Sequence, residues 1–404
     1  MEIVEVVIVG AGIAGLTTSL GLHRSGIPSL VLESSDRLRV TGFALTLFDN
    51  AWKALNAVGI GHSLRQQHLD LHGSVVSTVL KQRTSELSFK GREIRCVRRR
   101  LLLEALAAEL PNGTIRYSTK VVSIEDSGHF KQVHLADGTI IKTKVLIGCD
   151  GVNSLVAKWL GFEKPAFTGR SAFRGYAKFD SGHGFKPEYR QFIGKGVRSG
   201  FLPCDDHIVY WFVTWVPSSP EEEQEENPVK VKQFVLNMLD DAPDETKAVI
   251  ENTPLDAFVL SAPLRYRHPW DILWGNISKG NVSIAGDALH PMTPDLGQGG
   301  CSALEDGVVL SRCLAEALLK SHREIKDKAF DEEDYQRIQL ALKKYAKERR
   351  WRSIDLISTA YMVGFIQQNN GKIISFFRDK FLSTFLSTLL LTKADFDCGK
   401  LNVP

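Results

Sequence analysis

The pattern of apolar and polar positions predicts alternating strands and helices at the N-terminus. Residues 3–9 form a β-branched apolar run, which is typical of a strand buried on both faces. A glycine-rich loop follows, then a helical pattern to about Ser25 and a second short strand from Ser29 to Leu32. This order predicts a βαβ unit whose helix begins where a phosphate group would bind.

In the middle of the chain, apolar and polar residues alternate, which is the pattern of strands in a half-buried sheet. Residues 74–97 alternate weakly, and residues 171–216 alternate strongly and are rich in aromatic side chains. Both stretches predict antiparallel strands inserted into the first unit. The acidic run at residues 221–226 is interpreted as a solvated loop that leads into a helix at about residues 229–241.

The last part of the chain is predicted to return to the first unit and to end in helices. A strand at residues 281–285 precedes a helix from about Cys301 to Lys320. Further on, apolar residues recur every four positions, which predicts a helix with one apolar face. We expect this face to pack on the body of the protein, and a dimer contact or a peripheral membrane contact is the alternative. The stripe consists of Ile373, Phe377, Phe381, Phe385 and Leu389.

These elements predict a discontinuous α/β domain with an inserted sheet domain. The predicted division assigns residues 1–73, 96–168 and 278–330 to a dinucleotide-binding domain, residues 74–95 and 169–277 to a substrate-binding sheet domain, and residues 331–404 to a C-terminal helical region.

Length and composition narrow the class of protein. The chain has 404 residues, of which 43% are hydrophobic, and this is enough for two entwined domains. The net charge of +3 gives no reason to expect a nucleic acid partner. The cysteines have no metal-site or disulfide-framework spacing, and no segment reaches the roughly 20 apolar residues of a transmembrane helix. Because Met1 leads almost directly into the first strand, we expect no signal peptide and a cytoplasmic location.

The N-terminal loop carries the pattern of a dinucleotide-binding turn. Gly10 permits a tight turn, Gly12 lets a pyrophosphate approach the backbone, and Gly15 lets the helix and strand pack closely. Glu33 ends the second strand, where a carboxylate accepts hydrogen bonds from the ribose of an adenosine and repels a 2′-phosphate. The tightly bound dinucleotide is therefore expected to be FAD or NAD, not NADP.

Two later segments suit a larger flavin. Asp150-Gly151 follows an apolar strand, although such a pair alone is a common turn. Gly286-Asp287 ends another strand, and Asp287 is placed to accept a hydrogen bond from a ribityl chain. After Pro294, the run from Gly297 to Gly300 opens a helix whose N–H groups would face the pyrimidine edge of an isoalloxazine and stabilise its anionic reduced form. His290, between them, is interpreted as a buried loop histidine with a hydrogen bond, and a catalytic role is the alternative.

Together these motifs resemble those of the class A flavoprotein monooxygenases with the para-hydroxybenzoate hydroxylase fold, and above all the plant members that are similar to salicylate hydroxylase. The resemblance covers nearly the whole chain. It implies an α/β fold with a Rossmann-like FAD-binding domain, an inserted antiparallel-sheet substrate domain and a helical C-terminus. It also implies tightly bound FAD, NADH or NADPH as a transient reductant, and O2 as co-substrate. One oxygen atom would pass through a flavin C4a-hydroperoxide to a small apolar or aromatic metabolite of phenolic, indolic or alkaloid type.

The resemblance also implies roles for single residues. Gly42 and Ala44 resemble the loop over the flavin, and Arg99 matches an arginine that contacts FAD, with Arg98 as the alternative register. Asp150 belongs to a motif associated with both FAD and NAD(P)H, but Ala157 stands where the family has an arginine, so the NAD(P)H contacts stay open. The expected FAD-binding residues are Gly10, Gly12, Ile13, Ala14, Gly15, Glu33, Gly42, Ala44, Arg99, Asp150, Asp287, Pro294, Gly297, Gln298, Gly299 and Gly300.

The substrate pocket is expected between the flavin and the inserted sheet. Its candidate wall residues are aromatic: Phe173, Tyr189, Phe192, Phe201, Trp211 and Trp215. No side chain is identified as catalytic, since the flavin would carry the chemistry, and no metal is expected. A reductase or halogenase of the same fold and a non-catalytic flavin-binding protein are the alternatives. The expected partner is a small molecule, with no nucleic acid, and the chain is expected to be a monomer or homodimer.

Overall fold

The computed structural model describes residues 2–39, 42–78, 84–194, 196–218, 227–324, 330–368 and 383–401. In chain order the strands are β1 (Glu2–Val9), β2 (Leu30–Leu32), β3 (Ala44–Leu47), β4 (Gly73–Thr78), β5 (Thr84–Ser88), β6 (Arg95–Arg98), β7 (Ile115–Arg116), β8 (Val121–Ser127), β9 (Phe130–Leu135), β10 (Ile140–Gly148), β11 (Ala166–Lys178), β12 (Glu188–Gly194), β13 (Val197–Pro203), β14 (Ile208–Trp215), β15 (Val259–Tyr266), β16 (Ser278–Lys279) and β17 (Val282–Ile284). The α-helices are α1 (Ile13–Arg24), α2 (Asp49–Ala57), α3 (Gly61–Arg65), α4 (Arg99–Ala108), α5 (Leu155–Trp159), α6 (Pro228–Met238), α7 (Asp244–Glu251), α8 (Pro269–Trp274), α9 (Gly299–Glu324), α10 (Glu332–Gln368) and α11 (Ser383–Lys393).

The first sheet has the order β16-β17-β10-β1-β2-β7, and β9 and β8 extend it from β10. β1 is parallel to β2 and β10, and β10 is parallel to β17. The predicted N-terminal βαβ unit is therefore confirmed. Because β1, β10 and β17 are neighbours with one direction, the three motifs that follow them meet at one edge of the sheet, the usual ligand-binding edge of such a fold.

These motifs can lie this close together only because positions 10 and 15 are glycines. Gly10 has a φ of +100°, and a Cβ on it would lie 2.5 Å from the carbonyl oxygen of Cys149. A Cβ on Gly15 would lie 2.0 Å from the carbonyl oxygen of Gly10. Any side chain at either position would push the helix away from the strands.

The second sheet has the order β15-β11-β14-β13-β12-β4-β5. Its strand pairs are antiparallel, as predicted for the inserted segment, except that β12 runs parallel to β4. One face of this sheet carries an apolar core with residues of α6 and α7, and the other faces the first sheet. The domain boundaries given above remain our proposal.

The helices at the C-terminal side pack on the first sheet. α9 begins at Gly299, slightly before the predicted start, and contacts α1 and α10. The pattern of residues 51–67 favours one helix, but these residues lie in α2 and α3, because Gly59 between the two helices has a φ of +87°. In the described part of the chain, no helix combines the length and apolar character needed to cross a membrane.

The predicted C-terminal apolar stripe is described only in part. Ile373, Phe377 and Phe381 lie outside the described residues, as does the side chain of Phe385. Leu389 packs against the apolar cluster of Leu296 and its neighbours, so this position contacts the body of the protein. The acidic run at residues 221–226 also lies outside the described residues.

Candidate flavin and substrate site

The loop between β1 and α1 forms a cradle that a phosphate group fits. No atom lies within 4 Å of where a Cβ on Gly12 would be, and no side chain caps the N-terminus of α1. Glu33 is buried beside it, and its carboxylate accepts hydrogen bonds from the backbone nitrogens of Ala11 and Ser35, both at 2.9 Å. Free N–H groups and a carboxylate in this arrangement suit the pyrophosphate and the ribose of an adenosine dinucleotide.

The first and third motifs touch each other directly. A Cβ on Gly286 would lie 2.8 Å from the Cβ of Ala14, and one on Gly300 would lie 3.6 Å from Cδ1 of Ile13. Gly42 has a φ of +83° just before β3, which also lines this region. The structure therefore brings the predicted residues of α1, β3 and the loop after β17 into one place.

A cavity of about 220 Å³ continues from this place into the space between the two sheets. On the side of the first sheet its lining residues are Ala44, Leu45, Thr46, Phe48, Arg99, Asp287, Met292, Thr293, Pro294, Asp295, Leu296, Gly297, Gly299 and Gly300. On the side of the second sheet they are Arg174, Tyr189, Arg198, Leu202, Tyr210, Phe212 and Thr214, and α11 adds Leu390.

Arg99 and Asp287 are the charged residues on the cofactor side of the cavity. Burial lowers the pKa of the Arg99 guanidinium, and the Asp287 carboxylate opposes this shift. Nε of Arg99 has no hydrogen-bond partner among the described residues, whereas Asp287 is exposed. Arg98 lies 3.9 Å from Asp205 and does not line the cavity, whereas the next residue, Arg99, does.

Two of the expected cofactor-binding side chains make contacts within the chain instead. Asp150 accepts hydrogen bonds from the Ser154 hydroxyl at 2.5 Å and from the Leu155 nitrogen at 2.7 Å, so it caps α5. Gln298 is fully buried and accepts a hydrogen bond from Asn50 at 2.8 Å. Contacts between these two residues and FAD would therefore run through their backbone.

Most of the aromatic residues that we predicted to line the pocket lie on the opposite face of the second sheet. Tyr189 lines the cavity. The other five candidates pack in the core on the opposite face, beneath α6 and α7: Phe173, Phe192, Phe201, Trp211 and Trp215. Side chains alternate along a strand, so the cavity receives Tyr210 and Phe212 where we had expected Trp211 and Trp215.

A buried carboxylate that contacts two arginines borders the cavity, and the sequence pattern did not predict it. Asp295 is fully buried and lies 2.9 Å from Nη2 of Arg170 and 3.0 Å from Nη1 of Arg198. Arg198 also donates a hydrogen bond to the Tyr189 hydroxyl at 3.1 Å, while its Nε has no partner among the described residues. A single carboxylate cannot neutralise two guanidinium groups, so this part of the cavity carries a net positive charge.

Behind the loop after β17 lies a second charged cluster, which is fully buried. Arg349 lies 2.6 Å from Asp306 and 2.7 Å from Glu305, and Arg352 lies 2.8 Å from Glu305. His290 is buried and lies 2.6 Å from Asp306, which confirms the prediction of a hydrogen-bonded loop histidine. Asp306 also accepts a hydrogen bond from the Gly286 nitrogen at 2.7 Å, so the cluster fixes the start of the loop that carries Asp287.

Arg267 holds the same loop from the other side. It is buried and donates hydrogen bonds to the carbonyl oxygens of Leu289 at 3.0 Å, Ala288 at 3.1 Å and Glu163 at 3.0 Å. Burial lowers its pKa to about 10, and Asp271 opposes the shift only through space. An arginine bound to backbone carbonyls in this way fixes the loop next to Asp287.

Replacing Arg267 with methionine is expected to weaken FAD binding. The change removes the donor from the buried carbonyl oxygens of Ala288 and Leu289 and from the partly buried one of Glu163. We expect the Kd for FAD to rise about tenfold or more, which is about 1.4 kcal/mol. Titration of the apoprotein by flavin fluorescence quenching measures this. Arg265→Met, at an exposed neighbour on β15, is the matched control. An unchanged Kd for R267M would contradict the assigned role.

The comparisons with known proteins agree with this geometry. The family described as "FAD binding domain" matches residues 3–343. The chain belongs to this family. It is 57% identical to "Monooxygenase 2" of Arabidopsis thaliana over 98% of both chains, and 37% identical to "Monooxygenase 1" of the same plant over 99% of this chain and 100% of that one. The present chain is an FAD-dependent monooxygenase.

The fold of the monooxygenase is that of solved flavoenzymes. A Klebsiella pneumoniae HpxO structure in complex with FAD and uric acid superposes with a TM-score of 0.81 at 21% identity, covering 97% of this chain and 96% of that one. The open space at Gly12, the orphaned Nε of Arg99 and the exposed carboxylate of Asp287 are all features that bound FAD would satisfy. The residues present in the monooxygenase therefore fit this cofactor.

Proposed function

We propose that the monooxygenase uses NADH or NADPH and O2 to insert one oxygen atom into a small aromatic compound that carries an acidic oxygen. The observation that supports this is the cavity between the expected flavin loop and the arginine- and tyrosine-bearing face of the second sheet. Because residues expected to hold the flavin also line this cavity, among them Asp287 and Gly297, the flavin ring would fill part of it and leave room for a small, flat compound. Uric acid, the compound in the HpxO complex, is a flat heterocycle of this size class.

The chain supplies position, electrostatics and a dry environment. Bound FAD would supply hydride acceptance and oxygen activation. Gly299 and Gly300 at the N-terminus of α9 line the cavity, and their backbone N–H groups would stabilise negative charge on a bound flavin ring. Apolar residues such as Leu45, Leu202 and Leu296 line the remaining surface and keep water from the reacting atoms.

The preference for an acidic oxygen follows from the charges around the cavity. Burial raises the pKa of Tyr210 to about 12 and also raises the pKa of Tyr189, so both phenols stay neutral near pH 7. Arg174 and Arg198 then remain as positive groups on this side. Asp295 is shared between Arg198 and Arg170, and Asp287 is the other carboxylate among the described lining residues. A carboxylate, phenolate or enolate on the substrate would bind these guanidinium groups with charge-assisted hydrogen bonds.

Replacing Arg198 with glutamine tests the proposed substrate class. We expect KM for an acidic aromatic substrate to rise about tenfold to a hundredfold, because a charge-assisted hydrogen bond contributes about 1.5–3 kcal/mol. KM for a neutral analogue of similar size should change little. The measurement uses a panel of hydroxylated aromatic acids, phenols and indoles, with NAD(P)H oxidation and product mass as readouts.

The matched control is Arg190→Gln, since Arg190 lies on the neighbouring strand β12 and is paired with Glu188 and Glu245. Turnover under heavy-isotope O2 identifies the source of the inserted oxygen. A product without the heavy atom, alongside NAD(P)H oxidation, would indicate a reductase of the same fold instead. An equal change of KM for acidic and neutral substrates would contradict the assigned role of Arg198.

A further inference from the structure

An exposed cluster of large apolar side chains lies on the surface formed by α8 and the second half of α10. Trp274 is 78% exposed, Trp351 65% and Trp270 52%, and Met362 and Phe365 are half exposed. We name these five residues the aromatic face. Clusters of this kind on a protein surface mark contact sites, because single exposed apolar residues are common but grouped ones are not.

Direct contacts hold α8 against α10 beside the aromatic face. Nη1 of Arg350 donates hydrogen bonds to the carbonyl oxygens of Leu273 at 2.9 Å and Gly275 at 3.1 Å. The ring of Tyr361 stacks on Tyr266 at 4.7 Å between centroids. From there the ring contacts continue through His268, 4.9 Å from Tyr266, to Trp270, 4.4 Å from His268.

The positions along α10 place the other three members on one side of that helix. Met362 follows Trp351 by about three turns and Phe365 follows Met362 by about one turn, so all three lie on the same side of the helix. Residues on the opposite side of the helix pack against the loop that lines the cavity: Leu356, Ala360 and Val363 contact Leu296 and Met292. One stretch of α10 thus has the cavity wall on its inner side and the aromatic face on its outer side.

Lysines continue the line of Trp351 along α10. Lys347 lies about one turn and Lys343 about two turns before Trp351, and both are exposed, whereas the carboxylate of Asp355 is paired with Lys393 at 2.5 Å. The partly exposed Asp271 lies between Trp270 and Trp274 on α8. A partner surface with negative charge and an apolar interior suits both the lysines and the exposed rings.

We propose that the aromatic face binds the surface of a lipid bilayer that contains anionic lipids. Indole rings prefer the interface between headgroups and hydrocarbon, and nearby lysines and arginines gain from the negative surface potential. The bound protein would have the cavity wall one helix away from the bilayer. An apolar aromatic compound dissolved in the lipid would then be concentrated near the cavity, and this last step rests on the proposed function.

Sedimentation of the FAD-loaded protein with vesicles tests the proposal without substrate or reductant. We expect binding to phosphatidylcholine vesicles that contain phosphatidylserine, with weaker binding to phosphatidylcholine alone. Trp270→Ser, Trp274→Ser and Trp351→Ser combined should lower the partition coefficient on the order of a hundredfold, since each indole ring that inserts is removed in part from water. Lipids with brominated acyl chains should quench the tryptophan fluorescence of the native chain but much less that of the triple variant.

The matched control replaces exposed apolar residues outside the aromatic face: Val122→Ser, Val229→Ser and Leu255→Ser. This control should bind like the native chain, and both variants should keep their FAD. No vesicle binding by the native chain, or equal binding by the triple variant, would overturn the proposal. A native dimer that the triple variant converts to a monomer, with no lipid binding, would assign the face to self-association instead. Each of these outcomes leaves the proposed monooxygenase reaction untouched, because that reaction is measured separately.

Discussion

Asp287→Ala is expected to purify with little or no FAD and to bind added FAD about tenfold to a hundredfold more weakly. Its carboxylate is exposed toward the cavity and acts on Arg99, which has an unpartnered Nε there. Loss of a hydrogen bond to a charged group costs about 1.5–3 kcal/mol, and the change also leaves Arg99 without its counter-charge. Flavin absorbance per protein and the Kd for FAD measure the effect.

The control for this prediction is Asp256→Ala, an exposed aspartate on a short 3-10 helix (Leu255–Ala257) outside the site. Asp287→Asn keeps one oxygen acceptor and should bind FAD with intermediate strength. A D287A protein that keeps a full complement of FAD with native affinity would contradict the placement of the ribityl chain.

Arg349→Met is expected to lower the free energy of unfolding by about 3–5 kcal/mol, because it leaves Glu305 and Asp306 buried with fewer positive partners. Burial alone would raise the pKa of both carboxyls, but nearby positive groups outweigh this effect. Arg349 and Arg352 lower the pKa of Glu305, and His290 and Arg349 lower the pKa of Asp306, so that both values lie below the ordinary range. The midpoint of urea unfolding, followed by circular dichroism, measures the change.

The control is Arg312→Met, because Arg312 forms a partly exposed pair with Glu348 at 2.7 Å and should contribute at most about 1 kcal/mol. The stability deficit of R349M should also depend on pH. In the native chain the lowered carboxyl pKa values stabilise the fold above the unfolded pKa and lose that effect as the pH falls. In R349M fewer positive groups oppose the effect of burial, so the pKa values of these carboxyls should be higher than in the native chain. The difference in stability between the two proteins should therefore narrow as the pH falls into and below the ordinary carboxyl range of about pH 4. A deficit that is constant with pH would mean that lost packing, not charge, dominates.

The cofactor half of the site was predictable from the sequence because its determinants are local. Gly10 has a positive φ, a Cβ on Gly15 would meet the carbonyl oxygen of Gly10, and Glu33 follows directly from the end of β2. These constraints act within one βαβ unit, so the residue types alone indicate them, whereas the approach of Gly10 to Cys149 arises only in the folded chain.

The substrate half was predicted poorly because both faces of the second sheet carry aromatic side chains. Period-two alternation shows that Tyr210 and Trp211 point in opposite directions, but not which direction holds the cavity. That depends on α6 and α7, which cover the face of Trp211. The cluster of Arg170, Arg198 and Asp295 was missed for a related reason, since its members are distant in sequence and meet only in the folded chain.

The strand order of the first sheet has a consequence for how the chain folds. In that sheet β1 pairs with β10 from Glu2 opposite Ile141, and β10 pairs with β17 from Leu146 opposite Val282. During synthesis from the N-terminus, β1 therefore meets β2 early but must wait for β10, and β10 must wait for β17. Long-range parallel pairing of this kind folds slowly and leaves apolar strand edges exposed meanwhile. We expect nascent chains that end before β17 to depend on chaperones for solubility, and the edge of the sheet where the three motifs meet to form last.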